Sequence, residues 1–338
     1  MEILKNFSLL KYNTFGIDAS AKYFSAFNSM AQLHELLEYN DQLHEPLLIL
    51  GGGSNLLLTK DVEGLVLKNE IPGKHLQRED DTYYYINAGA GENWHRFVLY
   101  CIANNMAGVE NLSLIPGNIG ACPMQNIGAY GVELSDVFYE LTAFHLQEKK
   151  LVTFNVKECS FGYRESVFKT IYKNQFAILN VTFRLLKQPR FNTGYGAIQQ
   201  ELQRMNVTEL NINAISQAVV NIRSSKLPDP AQVGNAGSFF KNPEVPASIF
   251  LALKEKFKDI IGYALTNTQV KLAAGWMIEQ CGWKGYRRRD AGCHATQALV
   301  LVNYGSASGR EIYDLSEEIL ESVKNKFGVT LEREVNII

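Results

Sequence analysis

An α+β protein with roughly two to three closely packed domains is predicted here on three observations. The 338 residues exceed what one small core accommodates. Apolar strand patterns and amphipathic helix patterns run along the whole chain, without repeats, low-complexity tracts or long linkers. Two glycine-rich segments, each after an apolar strand, fall within the first 131 residues.

In chain order, residues 21–64 read as strand, helix and strand. SMAQLHELLEYN spaces Leu33, Leu36, Leu37 and Tyr39 for a helix laid on a sheet. PLLILGGGSNLLL reads as a strand apolar on both sides of its pleat, hence buried, and it runs into Gly51, Gly52, Gly53, Ser54 and Asn55. Consecutive amides without Cβ atoms can curl into a nest for an anion such as a pyrophosphate. The run lacks the Gly-Lys-Ser/Thr ending of a Walker loop, and Leu56 stands where the dinucleotide fingerprint needs glycine. Taken alone, it fits a tight turn as well as a phosphate site.

TYYYINAGAGENWHRFVLYCIANNM predicts an aromatic strand, a glycine turn and a helix from near Glu92. LIPGNIGACPMQNIGAYG follows as the second glycine loop, and such a pair suits an extended dinucleotide, with FAD the natural candidate. VFYELTAFHL, KLVTF and QFAILNVTFRLL read as strands, interrupted by the polar loop KECSFGYRESVFK with Tyr163 and Arg164. Arg164 reads either as a surface charge paired with Glu165 or as a fixed guanidinium that stabilises developing negative charge. Tyr195 lies between glycines on what reads as a mobile loop.

INAISQAVVNIRSSK has helical spacing, and Pro228 and Pro230 stop that helix. KLPDPAQVGNAGSFFKNP then reads as a glycine-flanked turn that presents Ser238 beside Lys226 and Asn242. VPASIFLALKEKF and VKLAAGWMIEQCG are expected to be helices and QALVLVN a buried strand. REIYDLSEEILESVKNKF places Ile312, Leu315, Ile319, Leu320, Val323 and Phe327 on one helix face. VTLEREVNII is expected as a final strand in which one of Glu332 and Glu334 points outward.

Composition narrows the function classes. With 46% hydrophobic and 20% charged residues the chain is an ordinary globular protein rather than a disordered one. A net charge of -2 removes the electrostatic case for a nucleic-acid partner, and YRRRD at 286–290 reads as solvated loop or a contact to one phosphorylated small molecule. Five scattered cysteines without a CxxC pair suggest neither a disulfide frame nor a zinc site, and the six histidines form no metal motif. No signal peptide pattern or membrane span is found, so a cytoplasmic protein is expected.

With these segments in hand, the sequence resembles the UDP-N-acetylenolpyruvoylglucosamine reductases, flavoenzymes also called UDP-N-acetylmuramate dehydrogenases. GENWH, LENLSLIPG, QNIGAYGVEL, FGYR, KLPDP, GNAGSFFKNP, VKLAAGW and QALVLVN carry the resemblance, which spans NTFGIDA to LEREV. Tyr195 in its extra loop and serine at 238 resemble the type I branch.

The resemblance implies a vanillyl-alcohol-oxidase/PCMH-type FAD-binding fold: FAD subdomains at 1–70 and 71–226, the latter joined by a C-terminal strand at 328–338, and an α+β substrate-binding domain at 227–327. It implies that NADPH reduces FAD, which then reduces UDP-N-acetylglucosamine enolpyruvate, the two substrates reacting in turn, in a monomer. Gly51, Gly52, Gly53, Ser54, Asn55 and Leu56 match flavin-binding positions of the first loop. Pro116, Gly117, Gly120, Ala121, Gln125, Gly128, Tyr130 and Tyr163 match those of the second loop and the FGYR turn. Ser238 matches the proton donor, and Arg164 and Glu334 match residues near the substrate carboxylate. Tyr195, Lys226, Asn242 and Gln297 match contacts to diphosphate and sugar, with Tyr263 and Lys271 as further contacts to the same ligand. Asn336 stands where relatives often carry arginine, and Ala121 and Cys122 where glycine or serine is common. Two other readings stay open: another FAD-dependent enzyme of the same fold, and a flavin-free nucleotide-sugar binding module.

Overall fold

The computed structural model describes residues 2–338. The chain forms two compact units, each assembled from separated segments. The first takes the chain up to Phe7, Ala21–Gly53 and Glu63–Ser225; the second takes Ser8–Ser20, Ser54–Val62 and Lys226–Ile338.

In the first unit a four-stranded sheet has the order Leu4–Ser8, Ser20–Phe27, Val62–Asn69, Leu47–Leu50. The last two strands are parallel, with Leu47 opposite Leu65. Helix Met30–Leu43 starts where the Ser29 side chain accepts from Gln32 N and ends at His44, which adopts the left-handed conformation. It buries Leu33, Leu36 and Leu37 against Phe27, Leu65, Leu67 and Leu179. A second, five-stranded antiparallel sheet runs in the order Lys150–Asn155, Phe138–His145, Phe176–Leu186, Tyr83–Gly89, Lys74–Glu79. Helix Trp94–Ala103 buries Trp94, Phe97, Val98 and Cys101, and the rings of Trp94, Phe97 and Phe183 pack together. Full burial of one such side chain is worth roughly 1.5–3 kcal/mol. The Trp94 indole N–H is satisfied by Leu112 O at 2.8 Å.

In the second unit a four-stranded sheet has the order Gly234–Ser238, Val300–Asn303, Ala291–Cys293, Arg287–Arg288. Helix Gly309–Phe327 has a Ser308/Glu311 capping box, stops at Gly328 and buries Ile312, Leu315, Ile319, Val323 and Phe327. A three-stranded sheet orders Glu244–Pro246, Gln269–Leu272, Gly262–Ala264, and Asn336–Ile337 runs parallel to Leu56–Leu57. No helix among the described residues is long and apolar enough to cross a membrane.

Four local expectations are corrected. VKLAAGW opens with strand Gln269–Leu272, and only Ala274–Gln280 is helical, because Val270 and Leu272 alternate inward with Gln269 and Lys271. The loop expected around Tyr195 ends at Tyr195 itself, which caps helix Gly196–Arg204, and that helix buries Ile198 against Ile215, Val219 and Ile222. The GNAGS turn is a bulged strand. The segment expected as a terminal strand changes partners: Glu334 N bonds Phe239 O, Arg333 bridges Phe240, and only Asn336–Ile337 pairs with Leu56–Leu57.

Candidate active site

The two glycine loops of the first unit touch through their backbones. A Cβ at Gly52 would stand 2.8 Å from Gly117 Cα and 2.9 Å from Asn118 Oδ1, so only glycine lets the loops meet. Asn118 donates to Gly91 O at 2.9 Å, and Gly117 O accepts from Trp94 N at 3.0 Å. Gly120 N bonds Ala90 O at 2.9 Å, and a Cβ at Gly120 would lie 2.7 Å from Ala90 Cβ. Ala121 Cβ lies 3.8 Å from the Cβ position of Gly51. The outcome is a cradle bare of side chains at Gly51, Gly52, Gly117 and Gly120. Gln125 closes the short 3-10 turn Pro123–Gln125.

Beyond Gly128 the loop meets the FGYR turn. Arg164, held at φ +55°, donates from Nη2 to Gly128 O at 2.5 Å, and its guanidinium lies 5.4 Å from the Tyr163 ring centroid. The Tyr130 and Tyr195 rings meet edge to face, with centroids 5.3 Å apart. Asn111 ties this corner together, donating to Tyr130 O at 3.0 Å and Asn192 O at 2.9 Å, while Asn192 donates to Gly131 O at 2.8 Å. Burial raises the pKa of the Tyr130 phenol, which accepts a hydrogen bond from Arg223. Burial also lowers the pKa of Arg223; the adjacent Tyr130 opposes that shift and the nearby Arg164 adds to it. Gly128 and Tyr163 therefore gather at Arg164, and Tyr195 at Tyr130, in one unit, with the Arg223 guanidinium beside Tyr130.

Arg223, Asn111 and His95 escaped sequence reasoning. For Arg223 a signal existed, since it stands one turn beyond Val219 and beside Ile222, both buried, so a cation lies next to the apolar face of its helix.

In the second unit Ser238 ends strand Gly234–Ser238, half-buried, opposite Val300. Two residues intervene between the pairs Asn235–Val302 and Ser238–Val300 where the partner strand has one, so the strand bulges. The bulge is closed from inside: Asn235 Oδ1 accepts from Gly237 N at 2.9 Å, and its Nδ2 donates to Val233 O at 2.8 Å. Phe239 and Phe240, both buried, anchor the next two positions. Glu334 N donates to Phe239 O at 2.8 Å, which brings Glu334 alongside the residue after Ser238. Asn55 donates to Glu334 O at 3.3 Å, and Asn336 donates to Asn55 O at 2.9 Å, so the Ser54–Asn55–Leu56 segment lies on the same strand. Glu332 is the outward one of the glutamate pair, its side chain 74% exposed and 3.3 Å from Lys241 Nζ.

Asn242 Oδ1 accepts from Ala274 N at 3.0 Å, and Gln297 Oε1 lies 3.3 Å from the Cβ position of Gly275, so both amides stand at the start of helix Ala274–Gln280. Lys226 ends its helix with its carbonyl 3.5 Å from Thr296 Oγ1, next to Gln297 in sequence. Tyr263 and Lys271 face each other on neighbouring strands, and Lys271 Nζ lies 3.3 Å from Glu244 Oε1.

Residues 229–338 match the model of the UDP-N-acetylenolpyruvoylglucosamine reductase C-terminal domain, and residues 21–153 match an FAD binding domain. A UDP-N-acetylenolpyruvoylglucosamine reductase of Flavobacterium johnsoniae is 50% identical over 339 aligned residues, covering 100% of both chains. The chain belongs to the UDP-N-acetylenolpyruvoylglucosamine reductase family. The fold agrees: the crystal structure of the Thermus caldophilus reductase superposes with a TM-score of 0.68 at 22% identity, over 99% of this chain and 98% of that one. 6-Hydroxy-D-nicotine oxidase from Arthrobacter nicotinovorans reaches 0.51 at 10% identity, over 97% of this chain and 86% of that one. An α+β architecture is thus common to this chain, to that reductase and to that oxidase.

Proposed function

We propose that this protein catalyses the NADPH-dependent reduction of UDP-N-acetylglucosamine enolpyruvate to UDP-N-acetylmuramate, a step in making peptidoglycan precursors. The observation that carries this reading is 50% identity, over the entire length of both chains, with a relative named for that reductase. The glycine cradle fits the cofactor, because Gly52 lets the two loops meet backbone to backbone and leaves amides without Cβ atoms at the junction, the kind of nest that takes a pyrophosphate. Gly51, Gly52, Gly53, Ser54, Asn55 and Leu56 hold one part of the flavin dinucleotide on this reading. Pro116, Gly117, Gly120, Ala121, Gln125, Gly128, Tyr130 and Tyr163 hold the rest.

Held by these residues, FAD would supply the hydride chemistry that links NADPH to the terminal carbon of the enolpyruvyl double bond. The protein's own groups handle the charge and the proton. Arg164 offers a guanidinium to the substrate carboxylate as negative charge develops there, and Glu334, when protonated, donates a hydrogen bond to it. Ser238 Oγ gives its proton to the ether carbon; the hydroxyl is a weak acid, but the acceptor is a strongly basic carbon and a positioned donor suffices. Hydride and proton together saturate the double bond. Lys226 sets a compact charge against the diphosphate, Tyr195, Asn242 and Gln297 bind diphosphate and sugar, and Tyr263 and Lys271 extend those contacts. The reading takes the protein to be a cytoplasmic monomer.

Anaerobic stopped-flow absorbance tests it. NADPH should bleach the flavin, and the enolpyruvyl substrate should restore its colour without oxygen. Ser238→Ala should leave bleaching intact and slow recovery by about 10²–10⁴-fold, the usual contribution of a general acid. Recovery that requires oxygen, or equal slowing of both phases, would refute the assignment.

A further inference from the structure

The second glycine loop is entered through Leu114, whose φ of +59° lies in the left-handed region. A leucine stays there only where its surroundings over-determine it. Both backbone polar groups of Leu114 are gripped by side chains from other elements: its N–H donates to His95 Nδ1 at 3.0 Å, and its carbonyl accepts from Arg223 Nε at 3.2 Å. His95 is the second residue of helix Trp94–Ala103, and the first N–H of that helix bonds Gly117 O at 3.0 Å. One helix end thus fixes the loop on both sides of Pro116. Burial first, and the Arg223 charge second, lower the His95 pKa, which keeps the ring neutral with Nδ1 able to accept.

We propose that His95 and Arg223 are positioning residues for the cofactor, which clamp Leu114 in its left-handed conformation and so hold the loop at 116–121 in the shape that receives the flavin dinucleotide. The inference rests on the reading of that loop as part of the FAD site. With one jaw of the clamp removed, the loop spends part of its time relaxed, and apparent affinity falls by the fraction of molecules still competent.

The test titrates the full-length apoprotein with FAD, follows quenching of flavin fluorescence, and records the apoprotein Tm alongside. His95→Phe keeps a ring but removes the acceptor; His95→Asn places an amide oxygen where Nδ1 stood. The phenylalanine variant should raise the FAD Kd by about tenfold, the scale of one lost hydrogen bond to a buried group, and the asparagine variant should stay within about twofold of wild type. Leu114→Gly supplies the second arm, because glycine adopts the left-handed conformation unaided; in that background His95→Phe should change the Kd by less than about twofold. Equal losses from His95→Phe in both backgrounds, or from phenylalanine and asparagine alike, would overturn the clamp. If Gly52→Ala weakens FAD binding while His95→Phe does not, the clamp fails and the cofactor site survives. If neither substitution moves the Kd, the loop is not the flavin site and both readings fall.

Discussion

Replacing Gly52 by alanine puts a methyl carbon 2.8 Å from Gly117 Cα and 2.9 Å from Asn118 Oδ1. Neither obstacle yields cheaply, since one is backbone and the other belongs to an amide already fixed to Gly91 O at 2.9 Å. The loops must part by roughly 0.6 Å before the contact becomes ordinary. Overpacking of this kind costs about 1–3 kcal/mol. Where the separation also spoils the cradle, that is about 5–150-fold in FAD Kd, measured by fluorescence titration of the apoprotein. The apoprotein Tm should fall as well, by roughly 1–2 °C for each kcal/mol in a chain of 338 residues. Gly51→Ala is the control, because its Cβ would meet nothing nearer than Ala121 Cβ at 3.8 Å. It should keep the wild-type Tm and lose affinity only through crowding of the ligand. A Gly52→Ala protein with wild-type Tm and wild-type flavin binding would refute the idea that the two loops must touch to make the site.

Three further outcomes are expected. Asn303 is buried, donates to Phe15 O at 3.0 Å and accepts from Gly305 N and Ala307 N at 3.0 Å each, so Asn303→Ala orphans several groups and should cost about 2–4 kcal/mol in urea unfolding; a loss below about 0.5 kcal/mol would contradict this. Burial raises the Glu110 pKa above 4.5, so the folded state holds that proton more tightly and wild-type stability should decline as pH climbs from about 4.5 through the raised value; Glu110→Gln should flatten that decline, and parallel pH profiles would contradict it. Tyr195→Phe should weaken nucleotide-sugar binding by about threefold to tenfold in calorimetry while preserving the edge contact with Tyr130, and an unchanged Kd would remove the hydroxyl from the ligand.

Much of this architecture is local in origin and could be read directly. Met30–Leu43 and Gly309–Phe327 declare themselves through apolar spacing, Ser29 and Ser308 caps and the Gly328 stop. The boundary at 272–274 could not be read the same way, because Val270, Leu272 and Ala274 keep a strand period while Val270, Ala273, Ala274, Met277 and Ile278 keep a helix period. Helix Gly196–Arg204 was masked by the glycines around Tyr195, although Ala197 to Arg204 are mostly good helix formers. The motifs mark the residues proposed for chemistry in each unit, but not what fixes them. Asn55 meets the Glu334 carbonyl across 279 residues, and His95 reaches Leu114 across 19. Such pairings leave no periodic trace, since backbone carbonyls and amides look the same at every position.

The short parallel pair between Leu56–Leu57 and Asn336–Ile337 sets a timetable for assembly. The carbonyl of Ile338 takes bonds from both the Thr59 amide and the Thr59 hydroxyl, at 2.7 and 2.8 Å. Residues 54–59 emerge early from the ribosome, yet their partners lie about 280 positions downstream. At about 5–20 residues per second, that early segment waits roughly 15–60 s for the strand that completes it. A nascent chain stalled short of residue 334 would therefore carry Leu56 and Leu57 as an unmet edge, open to chaperones.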